Sequence, residues 1–321
     1  MKKLLSILLA LMLVLGMSFG AVAEELPRVA FICKGYSDTY TYLVGQIFME
    51  YWEENYSDLY TVEMFDGEID NNVINELLET CVVDGFDAII LQQNDPDSPV
   101  PIIQDAVSKG IYVIVTVGSV NDDGASYYLD ADPVQQGSLL VDYAVEQGMV
   151  TEGTNCVILR GIDGTFHADG RHEGFITGLE AAGANIIDDQ TANWTTSEAQ
   201  PIVEAWLVSN PEIECIFAAN DDMALGAINA MEMADRMDIK VFSVDANELG
   251  CIALKEGKLT ATVAQDTFGY AHGAADYAAK LLQGEEVESQ RLDSQLILLD
   301  QVDDILSQVH GYTEEEIAAI G

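Results

Sequence analysis

Basic residues are scarce in this sequence. Thirteen Lys and Arg stand against 55 Asp and Glu in 321 residues, which gives a formal net charge of −42. Such an acidic surface repels nucleic acid and anionic lipid, so a DNA- or RNA-binding role is disfavoured. Proline is also rare, with seven residues, while 49% of the chain is apolar and 21% charged. This composition argues against collagen-like, coiled-coil and largely disordered chains, and the length predicts about two domains.

Long hydrophobic runs are absent after the first 23 residues, so no membrane-spanning helix is predicted there. Residues 1–23 have a basic start, an apolar run over 4–14 and small residues up to Ala23. This is the three-part pattern of a secretory signal peptide, with cleavage expected before Glu24. A retained membrane anchor is the alternative, but the apolar run is short for a span. We therefore predict a soluble periplasmic protein, secreted across the inner membrane and without a lipid anchor.

Cysteine is sparse, and the number of cysteines is odd. The five residues are Cys33, Cys81, Cys156, Cys215 and Cys251. They form no CxxC motif and no metal-ligand spacing, and most lie in apolar runs typical of buried thiols. Cys156 and Cys215 fall at matching positions of two strands that we expect to be neighbours. Because cross-strand disulfide geometry is restrictive, pairing of these two stays open.

Short β-rich apolar runs alternate with helical patterns along the remaining chain. One series of strands is predicted at 28–34, 59–65, 87–91, 111–117 and 126–130, and a second at 155–160, 184–189, 213–219, 240–244 and 260–265. Helices are predicted near 40–55, 71–83, 100–109, 133–148, 170–182, 197–209, 221–235, 247–256 and 267–283, with a short terminal helix after Thr313. This alternation predicts an α/β fold with parallel sheets covered on both faces by helices.

The two series predict two similar doubly wound lobes joined by a multi-strand hinge. We expect crossings near 130–132 and 265–267, and a third through a late strand at about 294–299. The predicted division is 1–23 signal peptide, 24–131 plus 266–297 N-terminal lobe, and 132–265 plus 298–321 C-terminal lobe. Several crossings predict a hinge that bends without swivelling freely.

Polar and aromatic side chains follow the predicted strands of both series. In open parallel sheets, ligands bind beyond the carboxyl ends of the strands. The candidate binding residues at these ends are Asp38, Tyr40, Arg171, Trp194, Asn220, Asp245 and Gln265. Aromatic rings stack on the C–H faces of a sugar, while carboxylates, amides and a guanidinium bond its hydroxyls. The set therefore predicts a site for a neutral polyhydroxylated ligand.

Each candidate also has a structural interpretation. Asn220 and Asp245 would serve as helix caps, Trp194 as a packing residue, and Tyr40 as the start of an ordinary amphipathic helix. Arg171 would be a solvated helix residue and Gln265 a support of the hinge backbone. Their joint appearance at corresponding strand ends favours the binding site.

Three segments carry a resemblance to a known family: FAANDDMALG at 217–226, VDA at 244–246 and ATVAQ at 261–265. At these segments the chain resembles the type 1 periplasmic substrate-binding proteins of the ribose/galactose class, and the likeness extends over nearly the whole chain after residue 23. Residues 36–40, 127–132 and 191–196 resemble the glucose/galactose branch more than the ribose branch.

The resemblance implies a role for each candidate. In the first lobe, Asp38 would be the polar contact and Tyr40 the stacking ring. In the second lobe, Trp194 would be the opposite ring, and the ring hydroxyls would bond Arg171, Asn220 and Asp245. Gln265 would contact the ligand from the hinge. His167 and Asp169 are further possible ligand contacts. Where the family carries an Asn or an Asp-Arg pair after the fourth strand, this sequence has Val117-Gly118, which predicts a first lobe without that anchor.

The expected function is capture of a monosaccharide or similar polyol by a monomer and its delivery to an ABC importer, without catalysis, cofactor or metal. The calcium loop of some relatives has no counterpart, since residues 150–153 lack its alternating acids. The alternative is a ligand sensor for a chemoreceptor or sensor kinase that binds a furanose signal or nucleoside. A repressor is disfavoured by the absence of a helix-turn-helix segment. Asp38 and Asp245 offer a carboxylate pair for glycoside cleavage, but no catalytic motif accompanies them.

Overall fold

The computed structural model describes residues 25–320, so the signal-peptide prediction for 1–23 lies outside the described residues. Within 25–320 the strands are β1 (Arg28–Cys33), β2 (Thr61–Asp66), β3 (Ala88–Leu91), β4 (Tyr112–Thr116), β5 (Tyr127–Ala131), β6 (Asn155–Arg160), β7 (Asn185–Thr191), β8 (Cys215–Ala218), β9 (Lys240–Asp245), β10 (Ala261–Gln265), β11 (Gln290–Leu292) and β12 (Ser294–Ile297). The helices are α1 (Thr39–Asn55), α2 (Asn71–Val83), α3 (Val100–Ser108), α4 (Pro133–Glu146), α5 (Phe166–Ala181), α6 (Thr196–Ser209), α7 (Asp221–Met233), α8 (Glu248–Lys255), α9 (Thr267–Leu282), α10 (Val302–Gln308) and α11 (Glu314–Ala318).

The strands form two six-stranded sheets of matching topology. The first has the order β11-β5-β4-β3-β1-β2, and the second has the order β12-β10-β9-β8-β6-β7. Every pairing is parallel except that of β12, which runs antiparallel to β10. The predicted fold, two similar doubly wound α/β lobes, is therefore confirmed.

Short elements near the C-terminus depart from the sequence prediction. Strand β11 was not predicted; it has only three residues at a sheet edge, too few for a periodicity signal. Strand β12 pairs with β10 and so belongs to the second sheet, although the predicted boundary at 297 assigned it to the first lobe. We therefore place the third crossing at Asp293, between the two strands. The rest of the division into lobes stays a prediction.

Local sequence signals explain where the helices begin. Asp132 accepts hydrogen bonds from the backbone N–H groups of the first turn of α4, and Pro133 occupies the first helical position. Thr313 and Glu316 form the predicted capping box of α11. The start of α5 was misjudged: the helix begins at Phe166, four residues before the predicted start.

Apolar residues fill the space between each sheet and its helices. In the second lobe, the Phe217 ring stacks on Phe242 with centroids 4.7 Å apart and also contacts Phe175. In the first lobe, separate clusters around Phe31 and Ile32 cover the two faces of the sheet. In both lobes the packed core thus supports the strand ends that face the space between the lobes. No helix within the described residues combines the length and apolarity needed to cross a membrane.

All five cysteines are buried as free thiols, as the apolar runs predicted. Cys156 and Cys215 do lie opposite each other on neighbouring parallel strands. They are nevertheless unbonded, which answers the open question about a disulfide.

Candidate functional site between the lobes

Residues at the carboxyl ends of both sheets surround a narrow cavity of about 30 Å³. Its lining residues come from both lobes: Lys34, Asp38, Tyr40, Thr41, Val117, His167, Arg171, Trp194, Asn220, Asp245 and Gln265. All seven principal candidates lie in this set, brought together from segments up to 227 positions apart (38 to 265).

The first lobe contributes an ion pair to the cavity. Lys34 follows β1 directly, and its Nζ lies 3.0 Å from Asp38 Oδ2. Asp38 also caps α1, because its Oδ1 accepts a hydrogen bond from the Thr41 N–H at 3.0 Å. Burial acts to raise the pKa of Asp38, but the Lys34 ammonium and the Thr41 N–H outweigh it, so the pKa is lowered. Asp38 is therefore held as a charged acceptor at the cavity wall.

Tyr40 places an unpaired hydroxyl in the cavity. The residue is 3% exposed, and its ring meets Tyr270 edge to face with centroids 6.3 Å apart. Its Oη has no hydrogen-bond partner within residues 25–320. Because an unpaired buried hydroxyl costs free energy, a bound molecule that bonds this oxygen would be stabilised.

The second lobe fixes Arg171 through several partners. Its Nε donates to Gln136 Oε1 at 2.8 Å, and its Nη1 donates to the Ala219 carbonyl at 2.7 Å and to Asp245 Oδ1 at 3.4 Å. The side chain is only 3% exposed. The interpretation of Arg171 as a solvated helix residue is therefore wrong. Gln136, which supports it from α4, gave no signal in the sequence beyond a polar residue in a helix.

Asp245 lies at the end of β9 in an unusual backbone conformation. Its φ is 124°, and the next residue, Ala246, has φ 53°. Strain of this kind in non-glycine residues concentrates at functional sites. Asp245 Oδ1 also accepts from Gln265 Nε2 at 2.8 Å. Burial raises the pKa of Asp245 well above its usual value, and Arg171 opposes that rise. Asp245 does not cap α8, which Asn247 caps instead.

Asn220 combines the two roles that the sequence left open. Its Oδ1 accepts from the Met223 N–H and so caps α7, while its Nδ2 donates to the Trp194 carbonyl at 3.2 Å. Capping thus orients the amide that lines the cavity.

Trp194 sits in a strained loop after β7. Asn193 and Trp194 both have positive φ, at 48° and 68°. A Cβ at Gly161 would lie 2.1 Å from the indole, so only glycine allows the ring this close. Lys34 Nζ lies 5.1 Å from the ring centroid, within cation–π range, and the indole Nε1 is buried without a partner. Within residues 25–320 the indole N–H of this lining residue is therefore left without a hydrogen-bond acceptor.

The two weaker candidates, His167 and Asp169, differ in their position relative to the cavity. His167 lines the cavity, with its Nε2 3.2 Å from Asp130 Oδ2. Asp169 does not line the cavity; its Oδ1 accepts from the Gly164 N–H at 3.0 Å and holds the loop before α5. Inclusion of Asp169 among the possible ligand contacts is thus not supported by the geometry.

Sequence reasoning missed Lys34, Thr41 and Val117. Lys34 was hidden because the predicted first strand extended one residue too far. Val117 has φ 49°, and the next N–H, of Gly118, donates to Asp130 Oδ2 at 2.6 Å. A Cβ at Gly118 would lie 2.7 Å from the Gln93 carbonyl, so no anchoring side chain fits there. The predicted loss of one first-lobe anchor therefore follows from the backbone itself.

Gln265 links the hinge to both lobes. Besides its bond to Asp245, its Oε1 lies 3.3 Å from the Tyr270 hydroxyl of α9. The same hydroxyl bonds Asp130 of β5. Among residues 25–320, no group of three or more His, Cys, Asp or Glu is placed to hold a metal ion.

Two α/β lobes with strand-end loops around an enclosed polar cavity define a two-lobe solute-binding protein. A family model described as periplasmic binding protein domain matches residues 29–286. The chain therefore belongs to the periplasmic binding protein family, and the predicted type 1 class is confirmed.

Relatives and solved structures agree with this assignment. The ribose import binding protein RbsB of Salmonella typhimurium is 29% identical over 232 residues, covering 72% of this chain and 77% of the relative. The D-ribose/D-allose-binding protein of Pseudomonas aeruginosa is 26% identical over 281 residues, covering 84% and 87%. A solute binding protein of Actinobacillus succinogenes with bound D-allose is 27% identical with a TM-score of 0.79, covering 87% of this chain and 99% of that one. One from Bacillus halodurans with bound myo-inositol is 27% identical with a TM-score of 0.81, covering 88% and 98%.

These relatives are binding proteins of transporters, and the chain is a binding protein and not an enzyme. The likeness to the glucose/galactose branch stays a prediction, since the two curated relatives carry ribose and allose in their names.

Proposed function

We propose that this protein binds a monosaccharide or similar small polyol in the interlobe cavity and delivers it to an ABC importer. The names of its relatives, which include ribose, allose and inositol binders, support this class of ligand. One observation carries the proposal: Tyr40 and Trp194, whose buried Oη and Nε1 have no hydrogen-bond partner within residues 25–320, both line the cavity beside charged groups already held in position.

The donors and acceptors of the cavity suit a neutral ligand. Lys34 and Arg171 supply positive charge, Asp38 supplies negative charge, and Asp245 adds a carboxyl group held by Arg171 and Gln265. A hydroxyl both donates and accepts, so it can bond either kind of group. A polyol that lacks one of these hydroxyls leaves a buried polar group of the site short of one hydrogen bond, which makes the site selective.

The same contacts argue against glycoside cleavage by Asp38 and Asp245. Asp38 is paired with Lys34, and Asp245 is bonded by Arg171 and Gln265. Both carboxyl groups therefore act as fixed hydrogen-bond partners rather than as an acid and a nucleophile awaiting substrate.

We place the mature protein in the periplasm as a monomer, with a membrane permease as its partner. The family assignment and the names of the relatives support the location and the importer. A chemoreceptor or sensor kinase that recognises the ligand-bound form remains the second candidate partner, with a furanose signal or nucleoside as its ligand.

A thermal-shift screen with pentoses, hexoses, inositols and nucleosides tests the ligand class. A ligand present at 100 times its Kd stabilises the folded state by about 2.7 kcal/mol, which gives a clear rise in Tm. Small-angle scattering should then show compaction with the same ligand, because the bound molecule favours the closed lobes. No shift with any polyol, or release of cleaved product from a labelled oligosaccharide, would contradict the proposal.

A further inference from the structure

Three strand-end loops each present a second residue on the outer side of the cavity wall. Asp38, Asn220 and Asp245 line the cavity. One or two residues further along the chain, Thr39, Asp222 and Asn247 line a separate groove of about 290 Å³ that also spans both lobes. The wall between the cavity and this outer groove is therefore built from both lobes.

The three outer residues bond one another across the gap. Thr39 Oγ1 of the first lobe donates to Asp222 Oδ2 of the second at 2.7 Å. Asn247 Nδ2 donates to Thr39 Oγ1 at 3.4 Å and to Asp222 Oδ1 at 3.3 Å. The Thr39 hydroxyl thus donates to one second-lobe side chain and accepts from the other.

The second-lobe members are held in place before the first lobe arrives. Asn247 is 5% exposed, and its Oδ1 accepts from the Gly250 N–H to cap α8. The Asp222 carbonyl accepts from Thr196 Oγ1 at 2.7 Å, which fixes the start of α7. Thr39 is exposed at the first turn of α1, so the contact with it forms and breaks at the surface.

We propose that Thr39, Asp222 and Asn247 form a latch that holds the lobes closed over the cavity without touching the ligand. This inference rests on the proposed function, because the latch acts on the closed state that the ligand favours. Contacts made only in the closed state shift the open–closed equilibrium and so raise the apparent affinity. Their loss should speed ligand release and leave ligand capture unchanged.

The variant Thr39→Val tests the latch, because it replaces the hydroxyl by a methyl group and keeps the branched shape. Loss of one hydrogen bond predicts a rise in the ligand dissociation rate of about 3- to 10-fold, with an association rate within about 2-fold of the parent. Stopped-flow measurement with the best polyol of the screen supplies both rates. Thr80→Val, which removes a hydroxyl bonded only to the Glu76 carbonyl on the surface of α2, is the matched control and should change neither rate.

A double-mutant cycle separates the latch from general damage. In an Asp222→Ala background the hydroxyl of Thr39 has lost its acceptor and keeps only the 3.4 Å contact from Asn247 Nδ2, so Thr39→Val should affect release much less than it does in the parent protein. Additive effects of the two substitutions, or an unchanged dissociation rate in Thr39→Val, would overturn the latch.

Small-angle scattering of the unliganded proteins tests the latch independently of the proposed function. Thr39→Val should be more expanded than the parent protein, since fewer molecules remain closed. If no polyol binds the parent protein, the proposed function is wrong. Identical scattering profiles of the unliganded parent and the unliganded Thr39→Val variant would then overturn the latch as well.

Discussion

The two walls of the cavity are built in different ways. Four of the five lining residues of the first lobe, Lys34, Asp38, Tyr40 and Thr41, come from one segment of eight residues, 34–41. The second lobe draws its residues from five separate strand ends, and hydrogen bonds such as those of Arg171 to Gln136 and to the Ala219 carbonyl tie them together. A wall of interlocked side chains is oriented before the ligand arrives, so its members should contribute more to affinity.

The largest effect expected from this comparison is that of Asp245→Asn. Arg171 and Gln265 both bond Oδ1 of Asp245, and the change turns the second carboxyl oxygen into an amide group that only donates, so affinity should fall about 100-fold. Isothermal titration with the ligand from the screen measures it.

Asp163→Asn is the matched control for Asp245→Asn, because Asp163 is more than half exposed and pairs with Arg160 at the end of β6, outside the cavity lining. Its affinity should stay within about 2-fold of the parent. Equal affinities for the two variants would remove Asp245 from the site.

Trp194→Phe should have the next largest effect. It keeps an aromatic ring but removes the unpaired Nε1 donor, so affinity should fall about 10-fold, and most of the ligand-induced change in tryptophan fluorescence should vanish.

Trp206→Phe supplies an unusually close control for Trp194→Phe. Trp206 is also buried in the second lobe with an unpaired Nε1, but it lies in the core away from the cavity. The fluorescence change should persist in this variant. If it persists in Trp194→Phe as well, ligand does not bind against that ring.

A smaller loss is expected from the first wall. Tyr40→Phe removes only the unpaired hydroxyl, so affinity should fall about 3- to 5-fold if the ligand bonds it. Tyr60→Phe removes a hydroxyl that donates to the Ala275 carbonyl at 3.2 Å, and it should lower Tm without changing affinity. A loss in Tyr40→Phe that exceeds the loss in Asp245→Asn would reverse the comparison of the two walls.

The last prediction concerns stability beneath the second wall. Asp221 accepts from Ser243, Thr262 and the Asn247 N–H, and burial raises its pKa to about 7. Because the folded-state pKa lies above the unfolded one, this group's contribution to stability is complete below about pH 4 and is lost as pH rises toward 7.

Asp221→Asn has no such loss, since both hydroxyls can reorient to accept from the amide. Its Tm relative to the parent protein should therefore increase by about 5 °C between pH 5 and pH 8. Asp163→Asn serves as the exposed control. A Tm difference independent of pH would show that Asp221 is ionised throughout.

The fold and most of the site could be predicted because the ends of most strands can be recognised in the sequence. Asn220 and Asp38 follow their strands with the polar signal of helix caps, and those caps also line the cavity. Short elements such as β11 carry no periodicity and depend on partner strands that are remote in the chain. Lys34 was missed because the predicted end of β1 lies one residue too late in the chain. Sequence patterns do not locate the end of a strand to within one residue.

The position of Asp169 is a second lesson about boundaries. A helix predicted from 170 leaves residues 167 and 169 in a loop, where both are free to face the ligand. Because α5 begins at Phe166, His167 and Arg171 lie four residues apart on one helix face, whereas Asp169 is two residues from each and faces elsewhere. The earlier helix start thus separates the two weaker candidates.

The contact between Gly161 and the indole of Trp194 bears on attempts to engineer new specificities. Even a methyl group at 161 would displace the ring, so a variant library that randomises this loop would consist mostly of rearranged proteins. The contiguous stretch 34–41 can instead be exchanged as a single cassette, with the opposite wall left as a fixed template. Redesign of this receptor for unnatural sugars should therefore begin at its N-terminal lobe.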